Sequence, residues 1–287
     1  GSDVIVDALF GTGLARPLEG RWRTVVVDLN RCGVPIVSID VPSGLSADTA
    51  SLRGESIDAK LTIALGAPKL PLLMSPAAAR AGELVVADIG IPESVIDSVV
   101  GPRVEVITRA WARTLVVPRL ADVHKGDCGR VMLVAGSTGK SGAACLAALG
   151  ALRAGAGLVT VATPRSCQPI VSSWMPEYMT IGLDETIGGT VRAEAAEAIL
   201  GESGDVLAVG PGLGRGAEVT DLVRTLVRNS KVPLVLDADA LSVFADDARD
   251  LRGRDGPELV VTPHAGEMAR LVGTTVEQVQ ARRIEVA

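Results

Sequence analysis

Two loops in the first third of the chain place carboxylates directly after short apolar segments. The first loop reads D-A-L-F-G-T-G-L-A-R-P from Asp7, and the second reads D-V-P-S-G from Asp40. Carboxylates at such positions can hold a hard cation through oxygen or move a proton between substrate atoms. Gly11 and Gly13 let a ligand approach the backbone, and Arg16 offers a guanidinium to a phosphate. Turn glycines and helix caps are the plainer interpretation of the same residues.

A third candidate is the stretch G-S-T-G-K-S at residues 136–141. It ends like a phosphate-binding P-loop, G-x-x-x-x-G-K-[ST], which needs a glycine five positions before Gly139. Val134 stands at that position, and Gly136 comes two residues too late. The stretch is therefore not predicted to be a P-loop. It still joins a strand, a glycine turn and a helix N-terminus, where backbone N–H groups can receive an anion.

The composition restricts the class of protein. The 287 residues are enough for two domains of about 100–200 residues each. Hydrophobic residues make up 47% but aromatic residues only 2%, so small and aliphatic side chains must fill the core. The net charge of −6 and the lack of a basic run argue against nucleic acid as a partner. The uncharged stretch at residues 141–152 is too short to span a membrane, which takes about 20 apolar residues.

The cysteines indicate a reducing compartment. Four cysteines are scattered along the chain without a C-x-x-C pair, at Cys32, Cys128, Cys145 and Cys167. With only two histidines as well, neither a zinc site nor a disulfide framework is predicted. We expect the protein to act in the cytoplasm, where thiols stay reduced.

Short apolar segments alternate with helical patterns and glycine turns along the chain. Strands are predicted at residues 4–9, 35–40, 61–65, 84–88, 130–135, 158–162, 206–210, 234–237 and 259–262. Helices are predicted at residues 21–32, 141–154, 193–200, 218–229 and 265–272. This alternation is typical of an α/β fold with mostly parallel sheets covered by helices on both faces. The pattern lapses around residues 108–120 and restarts near Arg130, which indicates a boundary between two domains.

The two loops of the first third together resemble the NAD(P)H-hydrate epimerase domain, whose loops read D-A-[LI]-[FL]-G-T-G-L-x-R and D-[IV]-P-S-G. The resemblance covers about residues 1–107 and implies a Rossmann-like fold. It implies potassium ligands at Asp7 and Ser43, and makes Asp40 both a substrate contact and the candidate general base. It also implies that the hydrated dinucleotide is bound by Gly11, Thr12, Gly13, Leu14, Ala15, Arg16 and Pro17. The family's asparagine- and glycine-rich loop, with a second potassium ligand, lies upstream of these motifs.

Five motifs of the second half occur in one order. They are H-K-G-D at 124–127, G-S-T-G-K-S-G-A at 136–143, V-G-P-G-L-G at 209–214, L-V-L-D-A-D-A-L at 234–241 and V-V-T-P-H-A-G-E-M-A-R-L at 260–271. The series resembles the ADP- or ATP-dependent NAD(P)H-hydrate dehydratase family, which implies a ribokinase-like α/β fold. Any one motif could arise by chance, but five in this order indicate the family.

The dehydratase resemblance implies roles for individual residues. The pocket for the hydrate substrate would include Ala143, a glycine contact at Gly212 with Gly214 opening space beside it, and His264 against the hydrated nicotinamide nucleotide. Asp237 and Asp239 stand where the superfamily places acidic residues near the nucleotide and metal. For Glu267 two interpretations stay open, a magnesium–phosphate network or a cap on the following helix.

The implied chemistry is repair of hydrated NADH and NADPH. Phosphorylation of the C6 hydroxyl by ADP or ATP with Mg²⁺ makes a leaving group, and elimination restores the reduced nicotinamide. The family's K-G-x-x-T segment and G-T-G-D motif, which supply the anion hole and the catalytic base, do not occur before Ala287. We therefore expect a chain cut at both ends, with a partial epimerase domain at 1–107, a linker at 108–122 and a partial dehydratase domain at 123–287.

Two other functions remain as alternatives. One is a small-molecule kinase of the same superfamily that acts on a vitamin-precursor alcohol, and the other is a non-catalytic nucleotide-binding fragment. The T-P-H-x-G-E motif and the epimerase-like half argue against the kinase. As partners we expect the hydrates of NADH and NADPH and further copies of the chain, but neither nucleic acid nor a membrane.

Overall fold

The protein folds into two compact units. A computed structural model describes residues 2–100, 104–116, 118–119, 121–202, 204–245, 248–251 and 256–287. One unit comprises Gly1–Ile107 with Ala281–Ala287, and the other comprises Thr108–Gln280. Each unit contains a parallel sheet, so the predicted α/β fold is confirmed. In the described ranges, no helix is long and apolar enough to cross a membrane.

The first unit contains a four-stranded parallel sheet. Its strands are β1 (Ile5–Asp7), β2 (Ile36–Ile39), β3 (Leu61–Leu65) and β4 (Glu83–Ala87), in the spatial order β1-β2-β3-β4. Its helices are α1 (Gly20–Arg31), α2 (Leu70–Leu73) and α3 (Glu93–Ser98). Val26 of α1 is buried with Ile36 and Ile57, while Leu45, Ala64 and Leu72 belong to a second apolar cluster. Asp7 and Ser38 are paired at the ends of β1 and β2, which brings the loops after these strands together.

The second unit contains a six-stranded parallel sheet. Its strands are β5 (Arg130–Val134), β6 (Leu158–Pro164), β7 (Met179–Leu183), β8 (Val206–Val209), β9 (Leu234–Leu236) and β10 (Leu259–Val261). Their spatial order is β10-β9-β8-β5-β6-β7. From β5 the chain runs outward through β6 and β7, and it then returns to the other side of β5 with β8. The crevice beyond the carboxyl ends of β5 and β8 is therefore the switch point at which such sheets bind ligands.

Helices cover this second sheet and its core. They are α5 (Ser141–Ala154), α6 (Gln168–Trp174), α7 (Ala195–Glu202), α8 (Ala217–Asn229) and α9 (Ala265–Leu271). Helix α4 (Arg109–Leu115), which has no buried residue, precedes β5 along the chain. Helices α10 (Val276–Ala281) and α11 (Arg283–Val286) follow α9, and α11 lies in the segment that groups with the first unit. Leu222 and Leu226 of α8 are buried against Leu207 and Leu234 of the sheet. In α5, Ala144 and Ala148 are fully buried, so small side chains let this helix lie close to its neighbours.

The described elements differ from the predicted ones in a few places. Strand β7 was not predicted, because M-T-I-G-L mixes apolar residues with threonine and glycine at the edge of the sheet. Helix α7 begins two residues later than predicted and ends two residues later. The predicted linker at 108–122 contains α4, whose N-cap Thr108 accepts a hydrogen bond from the Trp111 N–H. Val117 and Leu120 of this segment lie outside the described residues.

Candidate functional site

Asp7 is the centre of the candidate site in the first unit. It ends β1, and its side chain is 1% exposed. Its Oδ2 accepts hydrogen bonds from Ser38 Oγ at 2.8 Å and from the Ser43 N–H at 2.9 Å. Its Oδ1 accepts from Ser43 Oγ at 2.6 Å and from the Leu9 N–H at 3.3 Å. The carboxylate therefore fastens the two predicted loops to each other.

The same atoms form a compact group of hard oxygens, the type of ligand that the predicted potassium site requires. Ser43 Oγ lies 2.6 Å from Asp7 Oδ1 and 3.2 Å from the Phe10 carbonyl oxygen. Because a hydroxyl proton rotates, Ser43 can donate to Phe10 and leave a lone pair of Asp7 Oδ1 open. A carboxylate and a hydroxyl oxygen are ligands suited to K⁺. The sequence placed Asp7 and Ser43 in one site, and the structure brings them into direct contact.

The glycine-rich loop after β1 lies on the surface. Residues 11–13 and 15–17 are exposed and Leu14 is half-buried. A shallow hollow joins residues 14–17 to Gly44 of the second loop. The Phe10 ring meets the Trp22 ring edge-on, with ring centroids 5.2 Å apart, which fixes the base of the loop on α1. The exposed backbone of residues 11–17 is thus open to a ligand.

Asp40 follows β2 in a conformation that side chains rarely adopt. Its φ is +69°, and its N–H donates to the Ile63 carbonyl at 2.8 Å. Its Oδ1 accepts from the Leu65 N–H at 3.1 Å and from Lys69 Nζ in a short ion pair. The sequence did not single out Lys69. It lies in the loop after β3, so the rule that selected the loops after β1 and β2 would have found it.

In the second unit, two of the predicted motifs meet at the β5–β8 crevice. The Gly136 N–H donates to the Pro211 carbonyl at 2.8 Å, and Ser137 Oγ donates to the Gly212 carbonyl at 2.7 Å. The G-S-T-G-K-S turn after β5 is therefore bonded to the V-G-P-G-L-G turn after β8. Ala143, in the first turn of α5, faces the Gly212 backbone across this junction.

Gly212 and Gly214 occupy positions that a side chain could not fill. Gly212 has a φ of +69°, and a Cβ there would lie 2.9 Å from the Ala143 Cβ. Gly214 has a φ of +84°, and a Cβ there would lie 2.9 Å from Thr190 Cγ2. L-residues are strained at such φ values, and both contacts are closer than van der Waals distance. Glycine at these positions is a requirement of the turn itself.

Asp239 links the two turns to the loop after β9. It lies in a 3₁₀ helix (Ala238–Phe244), and its side chain is 16% exposed. Its Oδ2 accepts from Lys140 Nζ at 3.1 Å and from the Gly214 N–H at 2.9 Å, while Arg215 Nε lies 3.8 Å from its Oδ1. Lys140 belongs to the G-S-T-G-K-S stretch, and its role was not predicted. The ammonium and the guanidinium give this corner of the crevice positive charge.

Asp237 presents one free carboxylate oxygen at the same edge. It follows β9, and its Oδ1 accepts from Thr262 Oγ1 at 2.8 Å. Its Oδ2 has no partner among the described residues. In that part of the chain, no group of three or more His, Cys, Asp or Glu side chains is arranged around a common point. Mg²⁺ in phosphoryl-transfer sites is commonly held by one or two carboxylates plus the phosphates, and Asp237 fits that mode.

His264 and Glu267 form a reciprocal cap at the start of α9. His264 Nδ1 accepts from the N–H groups of Gly266 at 3.0 Å and Glu267 at 3.3 Å. Glu267 Oε2 accepts from the His264 N–H at 2.9 Å, which completes a capping box. Because Nδ1 is an acceptor, the ring proton is on Nε2, which lies 3.0 Å from Glu267 Oε1. Glu267 thus caps the helix, and the imidazole remains 68% exposed.

The second unit has one cavity beside these residues and another away from them. One of about 160 Å³ has Arg215, Asp239, Ser242 and Arg270 in its walls, so it adjoins the positive corner. Another of about 740 Å³ lies along β7 and is lined by Arg165, Asp184 and Arg192 among others. None of the residues predicted to bind substrate or nucleotide lines the second cavity. The hydrogen-bonded turns at the carboxyl edge of the sheet indicate a binding site more strongly than the volume of a cavity does.

Comparison with known sequences agrees with this geometry. The sequence profile of the YjeF-related protein N-terminus matches residues 1–71. The bifunctional NAD(P)H-hydrate repair enzyme Nnr of Moorella thermoacetica is 45% identical over 288 residues, covering 100% of this chain and 54% of that protein. Its namesake from Thermofilum pendens is 42% identical over 287 residues, covering 99% of this chain and 54% of that protein. The chain therefore spans about half the length of these curated relatives.

Solved structures point to the same family. The ADP/ATP-dependent NAD(P)H-hydrate dehydratase from Bacillus subtilis, co-crystallized with ATP and Mg²⁺, is similar with a TM-score of 0.53 and 32% identity. The similarity covers 63% of this chain and 60% of that one. The profile of the NAD(P)H-hydrate dehydratase family matches residues 131–287. Because this match extends over more than half of the sequence, the chain belongs to the NAD(P)H-hydrate dehydratase family.

Proposed function

We propose that the protein repairs hydrated NADH and NADPH. Its second unit contributes to dehydration of the S-hydrate with ADP or ATP, and its first unit contributes to interconversion of the R- and S-hydrates. The observation that carries the proposal is the junction of the G-S-T-G-K-S and V-G-P-G-L-G turns at the sheet's switch point. The name of the relatives and the ATP and Mg²⁺ of the Bacillus subtilis enzyme support it.

We assign the two activities to two stretches of the chain. Residues 1–107 would be part of an epimerase domain, 108–122 the connection, and 123–287 part of a dehydratase domain. The boundary between the compact units at residues 107 and 108 supports the end of the first stretch, while the connection groups with the second unit and residues 281–287 group with the first.

The dehydratase residues would bind and orient the hydrate and the nucleotide. Ala143, Gly212 and Gly214 would form the wall of the hydrate pocket, where the small residues of the two hydrogen-bonded turns present backbone to the dinucleotide. His264 would contact the hydrated nicotinamide nucleotide through its exposed ring. Asp237 and Asp239 would lie at the nucleotide phosphates, with Lys140 and Arg215 contributing positive charge there. Glu267 would affect substrate binding indirectly, because its carboxylate orients the His264 ring.

The reaction needs a better leaving group than hydroxide. Transfer of a phosphoryl group to the C6 hydroxyl makes phosphate the leaving group, and loss of a proton from the neighbouring ring carbon restores the double bond. Mg²⁺, when bound, would offset the negative charge of the phosphates. Asp237 is the carboxylate best arranged to hold it, because its Oδ2 is unengaged in the described part of the chain. The catalytic base is not assigned to a residue of this chain.

The epimerase residues would hold the hydrate above the ends of β1 and β2. The exposed backbone of residues 11–17 would bind the dinucleotide, and Asp40 would take and return a proton during inversion at C6. Asp7 and Ser43 would hold K⁺, which when bound would stiffen the two loops beside the substrate. That the protein assembles from several copies and acts in the cytoplasm stays a prediction, the latter consistent with four free thiols.

The dehydratase assignment is tested by return of NADH absorbance. Purified full-length protein is mixed with S-NADH hydrate, Mg²⁺ and ADP, and then with ATP in place of ADP. Nucleotide-dependent recovery of NADH supports the proposal. Nucleotide consumed on addition of alcohol substrates, without recovery of NADH, would show a small-molecule kinase instead.

We expect Ala143→Leu to raise the Michaelis constant for the S-hydrate by about tenfold or more, equivalent to about 1.4 kcal/mol of lost binding. The added side chain would extend from the Cβ that already faces the Gly212 backbone, which is the predicted glycine contact to the substrate. Steady-state kinetics of NADH recovery measure the effect. Gly150→Leu, at an exposed position of the same helix, is the control and should leave the constant unchanged. An unchanged Michaelis constant in Ala143→Leu would show that Ala143 does not line the substrate pocket.

We expect His264→Asn to weaken binding of the hydrate about tenfold, or about 1.4 kcal/mol, while the protein keeps its stability. Asparagine removes the exposed ring but still caps α9, whereas His264→Ala also loses the cap at a cost of about 1 kcal/mol. Titration calorimetry with the hydrate and thermal unfolding separate the two effects. Equal affinity in His264→Asn and the wild type would show that the histidine is only a cap.

A further inference from the structure

We propose that Lys69 is a positioning residue for Asp40, fixing the carboxylate in the single orientation from which it can act on a substrate. The inference rests on the proposed epimerase function and adds a residue to it. Nothing in the loop motifs pointed to Lys69, which is separated from Asp40 by 29 positions.

The backbone of Asp40 requires outside support. Among the described residues, Asp40 and Ala238 are the non-glycine residues with positive φ. Holding a non-glycine residue at positive φ costs about 1–3 kcal/mol, and this conformation persists only where contacts with the surrounding structure enforce it. The Asp40 N–H is held by the Ile63 carbonyl, but that bond does not orient the side chain.

Lys69 supplies the missing restraint from a rigid segment. It stands in A-P-K-L-P, between Pro68 and Pro71, and is the N-cap residue of α2. The two prolines restrict the backbone on either side of it. Its Nζ donates both to Asp40 Oδ1 and to the Leu65 carbonyl, the latter at 2.8 Å. The ammonium therefore lies between the end of β3 and the turn after β2.

The ion pair is shielded from solvent. Each of the two side chains is 19% exposed, unlike the pair of Arg23 and Glu55, whose side chains are 60% and 38% exposed. Exposed pairs contribute little, because water screens them and the side chains are mobile. For a partly shielded pair, removal of one partner leaves the other charge without its nearest compensation. Loss of Lys69 should therefore displace the Asp40 carboxylate.

The ion pair engages Oδ1 of Asp40 and does not involve Oδ2. Lys69 Nζ and the Leu65 N–H both bond Oδ1. Asp40 Oδ2 has no partner within the described part of the chain. An anchored Oδ1 with an unengaged Oδ2 is the arrangement that lets one atom of a carboxylate exchange a proton with a bound substrate. Lys69 thus determines which carboxylate oxygen of Asp40 faces the substrate.

The test uses the full-length protein and the conversion of R- to S-NADPH hydrate, followed by chromatography. Lys69→Met keeps the length of the side chain and removes its charge. We expect kcat to fall about 100-fold, the effect of misplacing a catalytic group by about 1 Å, with KM changed less than about threefold. Lys60→Met, at an exposed lysine of the same unit, is the matched control and should keep full activity. In Lys69→Ala, added ethylammonium should restore part of the lost rate, which a purely structural defect would not allow.

A crystal structure of Lys69→Met decides the inference independently of activity. We expect the Asp40 carboxylate to leave the Leu65 N–H. If it keeps that hydrogen bond and its orientation, Lys69 does not position it and the inference is overturned. If it moves but the wild-type protein does not interconvert the hydrates, the positioning stands and the epimerase function fails. If the wild type converts the hydrates and Lys69→Met does so equally fast, the inference fails alone.

Discussion

Asp40→Asn is expected to lower the rate of R-to-S conversion of the hydrate about 1000-fold, within the range of about 10²–10⁴ that a general base contributes. The amide cannot accept a proton during inversion at C6. It can still accept the Leu65 hydrogen bond, and asparagine tolerates the left-handed backbone of this position. The fold should therefore survive while the chemistry is lost. Chiral separation of the hydrates over time measures the rate against spontaneous epimerisation.

The control for this substitution is Asp48→Asn, which changes an exposed carboxylate eight residues further along the chain. It should leave the rate unchanged. Dehydratase activity measured on S-hydrate should be equal in both variants and the wild type, because Asp40 and Asp48 lie in the other unit. A rate for Asp40→Asn within about threefold of the wild type would exclude Asp40 as the base, since general-base catalysis is worth at least about 100-fold.

Asp7→Ala is expected to lower the free energy of unfolding of the first unit by about 3 kcal/mol. The change removes the acceptor for the buried Ser38 hydroxyl and Ser43 N–H, and each stranded donor costs about 1–3 kcal/mol. Urea unfolding followed by the fluorescence of Trp22, with Trp111 and Trp174 replaced by phenylalanine, reports on this unit alone. Trp22 is suitable because its ring contacts Phe10 in the loop that Asp7 holds.

Asp3→Ala, which removes an exposed carboxylate just before β1, is the control and should change the unfolding free energy by less than about 0.5 kcal/mol. Replacing Na⁺ with K⁺ should stabilise the wild type by mass action and have no effect on Asp7→Ala. A difference between the two salts that persists in the variant would place K⁺ elsewhere. An unfolding free energy unchanged by Asp7→Ala would show that the carboxylate does not fasten the loops.

The sequence was sufficient to predict the strands that are buried on both faces. Runs such as R-V-M-L-V and L-V-T-V-A have four apolar residues out of five, which is enough to recognise a strand of a parallel sheet without knowing its neighbours. Strand β7 lacks this signal because M-T-I-G-L contains both threonine and glycine, which leaves three apolar residues out of five. The order of the strands was not predictable, since β5 pairs with β8 across a long stretch of intervening chain.

Several candidate site residues at the ends of strands could be predicted from their position in the sequence, but the residues that they contact could not. Asp7 and Ser43 were placed in one site by the resemblance of their two loops to those of the epimerase domain. The pair of Lys140 and Asp239 spans 99 positions and depends on β5, β8 and β9 lying side by side. The cap formed by His264 and Glu267 is local, yet a histidine at an N-cap is not among the residues preferred there.

The most direct test of the proposed repair function is to measure recovery of NADH from an equal mixture of its R- and S-hydrates. The full-length protein is used, with ADP and Mg²⁺. If the two units act as proposed, absorbance returns to the full amount of NADH, and the R-hydrate is consumed faster than it epimerises spontaneously. Asp40→Asn should then stop near half of that amount on the same time scale. If no NADH returns with either ADP or ATP, the assignment of this chain to repair of hydrated NADH is contradicted.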